Sequence, residues 1–127
     1  MKTIGFAVIL MFAAGCVGPG RVTRDVQEPE QMAELVARLA PPGTSVDDAQ
    51  RAMEREGFRC SRVVNGTFTA LKGEERTPEE HEGIDFLKCW RSRDSQLSII
   101  SGSWSVAIVH KDSKVVEVLA YTALTGP

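Results

Sequence analysis

The chain has 127 residues, of which 43% are hydrophobic, and its formal net charge at pH 7 is −2. This length provides material for one domain with one modest core. Charges of both signs are mixed along the chain without a run rich in Lys and Arg, so nucleic-acid binding has no support.

The first residues have the pattern of a secretory signal peptide. Lys2 precedes an apolar run over residues 4–14, and small residues follow up to Gly15. The run is shorter than the roughly 20 apolar residues that are needed to span a bilayer. The sequence therefore predicts a signal peptide over residues 1–15.

The end of this segment, Ala13-Ala14-Gly15-Cys16, resembles the lipobox of bacterial lipoproteins. The resemblance implies cleavage before Cys16 and lipidation of Cys16, so that palmitate-like chains anchor the protein to a membrane of the cell envelope. It also implies the outer membrane, facing the periplasm, because Val17 rather than an aspartate follows the cysteine. Two alternatives stay open: secretion after ordinary cleavage, and retention of the uncleaved segment as an anchor.

Cys60 and Cys89 remain as an even pair once Cys16 is assigned to lipid. In an oxidising compartment such a pair predicts a disulfide bond. Closing the loop over residues 61–88 would contribute roughly 3–4 kcal/mol to stability. A rival interpretation adds His81 and His110 to form a zinc site, but the close ligand spacing of such sites is missing. We therefore predict no metal and no other cofactor.

Residues 16–27 carry Gly, Pro and charged residues without periodicity, which predicts a lipidated flexible tether. Because the tether offers no apolar face, we expect residues 28–122 to fold without it. The folded part is predicted to be a single α+β domain over residues 28–127.

Two short amphipathic helices are predicted at the start of this domain. Apolar residues recur at helical spacing between Pro29 and Pro41, where proline ends the first helix. Ser45 and Asp48 form a start resembling a capping box for the second helix, and Gly57 is a natural C-cap.

After Gly57 the apolar period changes to two, which predicts strands. Asn65-Gly66 predicts a tight turn, and the acidic residues 72–83 predict a loop. The predicted strands cover residues 58–64, 67–71, 84–91, 104–108 and 115–122, with residues 97–100 unassigned.

Two helices followed by three or four antiparallel strands predict an α+β fold with two layers, in which both helices pack on one face of the sheet. Cys60 and Cys89 fall on different predicted strands. The disulfide bond therefore requires these two strands to be neighbours.

The order of lipobox, tether, capped helix and strands resembles the small bacterial lipoproteins of the SmpA/OmlA (BamE-type) family. Gly43-Thr44-Ser45 stands where that family has Gly-Met-Thr, and residues 57–59 stand where it has Gly-x-Pro, without the proline. The resemblance implies a binding scaffold and, more weakly, a role in outer-membrane protein assembly. The missing proline and the cysteine pair favour a separate lipoprotein family of similar shape.

No residues have the spacing of a catalytic set. A nucleophile needs a neighbouring base, and His81 and His110 are the two histidines of the chain. Ser101-Gly102-Ser103 does not match the Gly-x-Ser-x-Gly pattern of serine hydrolases. We therefore predict that the protein is not an enzyme and has no small-molecule substrate.

Trp90 and Trp104 are the best candidates for a binding surface, with Arg91 and Arg93 beside Trp90. Packing in the core is the alternative for both tryptophans. The sequence favours a lipid-anchored binding or scaffold module for another envelope component. The alternative is an inhibitor-like secreted module that blocks a partner enzyme through the acidic residues 72–83.

Lipidation of Cys16 is directly testable. Metabolic labelling with a fatty acid should mark the wild-type protein and should not mark Cys16→Ser, because the substitution removes the acylated thiol. Equal labelling of both proteins would refute the anchor.

Overall fold

The computed structural model describes residues 22–24, 26–92 and 101–125. Two helices, α1 (Pro29–Leu39) and α2 (Val46–Arg55), pack against one antiparallel sheet. The strands β1 (Arg59–Lys72), β2 (Thr77–Ser92), β3 (Ser101–Lys111) and β4 (Lys114–Thr125) lie in the order β1-β2-β3-β4. The predicted α+β fold, with helices packed on a four-stranded antiparallel sheet, is confirmed. The predicted signal peptide, Cys16, Arg93 and residues 97–100 lie outside the described residues.

Local signals define both helices. Pro29 occupies the first turn of α1, where its missing N–H costs no hydrogen bond. The Ser45 hydroxyl caps α2 by accepting a hydrogen bond from the Asp48 backbone N–H at 3.1 Å. Gly57 follows α2 with φ +90°, a left-handed conformation that favours glycine. The predicted start and end of α2 are therefore correct.

The β1–β2 hairpin is longer than predicted. Residues 72–83 are not a loop: β1 runs to Lys72, residues 73–76 make the turn, and β2 begins at Thr77. Asn65-Gly66 is not a turn either, but an irregularity within β1, where the pairing register shifts on both sides of Gly66. Asn65 adopts φ +52° and its backbone N–H donates to Asp85 Oδ1 at 2.8 Å. A Cβ at Gly66 would collide with the Val63 side chain, so any larger residue at this position would force Val63 to move.

Both faces of the sheet carry buried apolar side chains. On the helix side, Trp104 packs with Met32 and Met53 from the two helices. The opposite face, here called the open face, is partly covered by the distal part of β1, whose Phe68 ring lies 5.8 Å from the Phe86 ring at an angle of 69°. The bulge thus lets the hairpin fold over its own sheet. The buried residues of the open face are Phe68, Ala70, Phe86, Ala107, Val109 and Leu119.

The residues just before α1 belong to the domain. Thr23 is fully buried and its hydroxyl donates to Glu56 Oε1 at 2.7 Å, while its backbone N–H donates to the same oxygen at 3.0 Å. Arg91 donates to the Thr23 hydroxyl at 2.9 Å, to the Thr23 carbonyl at 2.7 Å and to the Glu56 carbonyl at 2.5 Å. We call Thr23, Glu56 and Arg91 the N-terminal clasp.

The clasp corrects the predicted tether. Val26, 4% exposed, belongs to the helix-side core, and Thr23 is held by two charged side chains. The interpretation of residues 16–27 as a flexible tether was therefore wrong for the described residues 22–24 and 26–27. The burial of Thr23 and Val26 could not be predicted from the sequence, because two single residues form no periodic pattern. Their burial depends on partners that are distant in the chain.

The clasp predicts different effects for two substitutions of similar size. Thr23→Val should lower the free energy of unfolding by about 1–3 kcal/mol, because the Glu56 carboxylate and Arg91 guanidinium each lose a buried hydrogen-bond partner. Thr23→Ser keeps the hydroxyl and should cost less than half of that loss. Chemical denaturation of the two variants measures the difference, and equal losses would show that the hydroxyl contributes nothing.

Candidate functional site

The structure separates the residues predicted to form a binding surface. Trp104 is 2% exposed and lies in the helix-side core, and Arg91 is buried in the clasp with its guanidinium 4.5 Å from the Phe58 ring centroid. Trp104 thus follows the alternative of core packing, and the prediction of Trp104 and Arg91 as surface residues was wrong. Arg93 lies outside the described residues. Trp90, 37% exposed, remains as a surface aromatic residue.

Alternation along β2 explains this separation. Successive side chains of a strand point to opposite faces. Leu87 and Cys89 are buried in the helix-side core, whereas Phe86 belongs to the open-face cluster. Trp90 is therefore on the open face with Phe86, and Arg91 is on the helix side with Cys89.

The open face carries a groove that the sequence did not predict. A cavity of about 540 Å³ lies beside the distal part of β1. A second cavity, of about 340 Å³, extends toward Trp90 and shares Lys88 and Ser105 with the first. We call the two together the open-face groove. Its lining residues are Ser61, Val63, Thr67, Phe68, Thr69, Phe86, Lys88, Trp90, Ser103, Ser105 and Tyr121.

The two ends of the groove differ in chemistry. Phe68, Phe86 and Tyr121 provide aromatic surface at one end. Ser61 and Ser103 provide hydroxyl groups at the other end, next to Trp90. The groove can therefore take an apolar side chain and a hydrogen-bonding group along one ligand.

Lys88 lies in the middle of the groove and is exposed. Among the described lining residues it alone is charged, and no described carboxylate forms an ion pair with it. Its neighbours across the adjacent strands are Ser61 and Ala107. This ammonium is therefore available to a negatively charged ligand.

The cysteines lie directly opposite each other on β1 and β2, where Cys60 pairs with Cys89 in the register. Both are thiols in the structure, and their Sγ atoms are 3.4 Å apart. The strands are thus neighbours, as the predicted disulfide bond requires. The bond itself stays a prediction.

The two thiols have different acidity. The hydrogen bond with Cys89 lowers the pKa of Cys60, against an opposing effect of burial. The same hydrogen bond, together with burial, raises the pKa of Cys89. Because the thiolate is the nucleophile in disulfide exchange and Cys89 is fully buried, we expect Cys60 to be the thiol that attacks an oxidant.

The acidic residues predicted as an inhibitory loop lie mainly along β2. Glu79 contacts the half-buried His81 at 2.9 Å and the exposed Lys72 at 3.9 Å. A hydrogen bond with Glu82 raises the pKa of the exposed Glu80. At the tip of the hairpin, Arg76 donates to the Gln27 carbonyl at 3.1 Å. The tip is therefore held against the start of α1.

No group of three or more metal-ligating side chains comes together within residues 22–24, 26–92 and 101–125. None of the helices in that part of the chain is long and apolar enough to cross a membrane. No protein-family model matches the chain, and comparisons with curated proteins and with solved structures find no similar protein.

The cysteine pair yields a stability prediction. Oxidised glutathione should convert the two thiols into an intramolecular bond, which non-reducing peptide mapping detects. The oxidised protein should exceed Cys60→Ser in free energy of unfolding by roughly 2–5 kcal/mol.

Measurement of both proteins in reductant provides the control. There the difference should shrink to the packing cost of the substitution, because neither protein then contains a bond. Free thiols at both positions after oxidation would refute the pairing.

Proposed function

We propose that the protein is a lipid-anchored, non-enzymatic binding module of the cell envelope, attached through Cys16 to the outer membrane and facing the periplasm. The lipobox-like residues 13–16 support the anchor. The open-face groove supports the binding role, since it combines aromatic surface, hydroxyl groups and the Lys88 ammonium, with which no described carboxylate forms an ion pair. On the sequence pattern alone, we also propose a scaffold role similar to that of SmpA/OmlA-type lipoproteins.

The proposed occupant of the groove is an extended segment of another envelope protein that carries an apolar side chain and a nearby carboxylate. The groove lies on a sheet face and is open to solvent, which suits an extended chain better than an enclosed small molecule. The carboxylate complements Lys88, and the apolar side chain complements Phe68 and Phe86. Lys88 is the observation that carries this choice.

Photo-crosslinking in intact cells tests the proposed function. A photoreactive amino acid at Ser105 should capture a partner segment that contains Asp or Glu near an apolar residue, as identified by mass spectrometry. The same amino acid at Glu34, on the exposed side of α1, should not capture this segment. Introduction at Glu75, in the hairpin turn, tests the inhibitor-like alternative.

Charge reversal in the groove provides the second part of the test. Lys88→Glu should lower the yield of the Ser105 crosslink about tenfold, because a like charge replaces the complementary one. Lys111→Glu makes the same change in net charge at the exposed end of β3 and should leave the yield unchanged. Equal yields from both variants, or capture at Glu75 instead of Ser105, would overturn the groove as the binding site.

A further inference from the structure

The N-terminal clasp determines where the anchored chain leaves the domain. Thr23 is buried, and its backbone is held by both Glu56 and Arg91. Residues 17–22 connect it to Cys16. An extended chain spans at most about 3.5 Å per residue, so the Cα atoms of Cys16 and Thr23 are no more than about 25 Å apart.

The clasp lies at one end of the sheet. The end of α2, the first residue of β1 and the last residues of β2 meet there. A cavity of about 300 Å³ at this end is lined by Gly57, Arg59, Trp90, Arg91 and Ser92. Trp90 lines both this cavity and the open-face groove. Once Cys16 is acylated, the connection keeps Thr23, and with it the clasp end of the domain, within about 25 Å of the lipid.

Among the residues that the structure describes, three arginines are exposed at this end. The side chains of Arg24, Arg55 and Arg59 are exposed, and no described carboxylate forms an ion pair with them. Glu54, next to Arg55 in the chain, is also exposed and accepts a hydrogen bond from Gln50. The Glu56 carboxylate is buried in the clasp.

We propose that the clasp end of the domain rests on an anionic lipid surface, with Arg24, Arg55 and Arg59 facing the headgroups and Trp90 at the interface. Arginines near an anionic leaflet are attracted to it, and tryptophan favours the boundary between headgroups and water. The inference rests on the proposed lipidation of Cys16, which holds the basic end within reach. The lipid contact would fix the orientation in which the open-face groove is presented.

Quenching of tryptophan fluorescence by brominated lipids tests this contact. The full-length lipidated protein is reconstituted into vesicles of phosphatidylcholine alone or with phosphatidylglycerol. Trp90 should be quenched in the anionic vesicles and less in the neutral ones, while the buried Trp104 gives a constant background. Trp90→Phe should lose the lipid-dependent quenching.

Two triple variants distinguish lipid binding by the clasp-end arginines from a general effect of the protein's net charge. Replacing Arg24, Arg55 and Arg59 by Gln should abolish the difference between the two vesicle types, since each arginine contributes roughly fivefold to anionic-surface affinity. Replacing Arg38, Lys111 and Lys114 by Gln removes the same charge away from the clasp and should preserve it.

Vesicle flotation distinguishes failure of this inference from failure of the anchor. Loss of flotation for the wild-type protein would refute the lipid anchor itself. Flotation with equal Trp90 quenching in both vesicle types, or with no effect of the arginine replacements, would overturn the proposed lipid contact.

Discussion

The bend of the β1–β2 hairpin is the constraint on which the rest of the domain depends. Two helices of 11 and 10 residues cover one face of the sheet, and the opposite face would leave Phe86, Val109 and Leu119 in water. The bulge around Gly66 allows the distal part of β1 to fold over that face and bury them. Incomplete coverage by the hairpin leaves the open-face groove between Phe68 and Trp90.

Elements with local signals could be predicted from the sequence. The helix α2 is defined by the cap at Ser45, by the spacing of its apolar residues and by Gly57. Each of these signals involves residues close together in the chain, so the helix could be predicted without knowledge of the rest of the fold. The first half of β2 has no such signal. Its residues are nearly all exposed and pair with β1 through the backbone, so their acidic composition indicated a loop. The turn predicted at Asn65-Gly66 was wrong because the same residue pair occurs in two structures. A left-handed residue followed by glycine is typical of a tight turn and also of a β-bulge.

The candidate sites depended on contacts that no local pattern contains. Thr23, Glu56 and Arg91 are separated by 33 to 68 residues in the chain. The local sequence around each of them predicts a solvent-exposed side chain. Glu56 and Arg91 are tolerated in the interior because the Thr23 hydroxyl donates to one and accepts from the other. Lys88 lacked a signal as well, since its importance comes from the uncharged neighbours that the fold places around it.

The register of β2 connects these features. Phe86, Lys88 and Trp90 lie on the open face, and Leu87, Cys89 and Arg91 lie on the helix side. A slip of one residue would exchange the two sets, which would bury an unpaired ammonium and expose the clasp arginine. A disulfide bond between Cys60 and Cys89 would oppose such a slip, because it would join one residue of β1 to one residue of β2. The cysteine pair, the clasp and the groove are thus three consequences of a single strand alignment, and stabilising that alignment is the structural role we assign to the two cysteines.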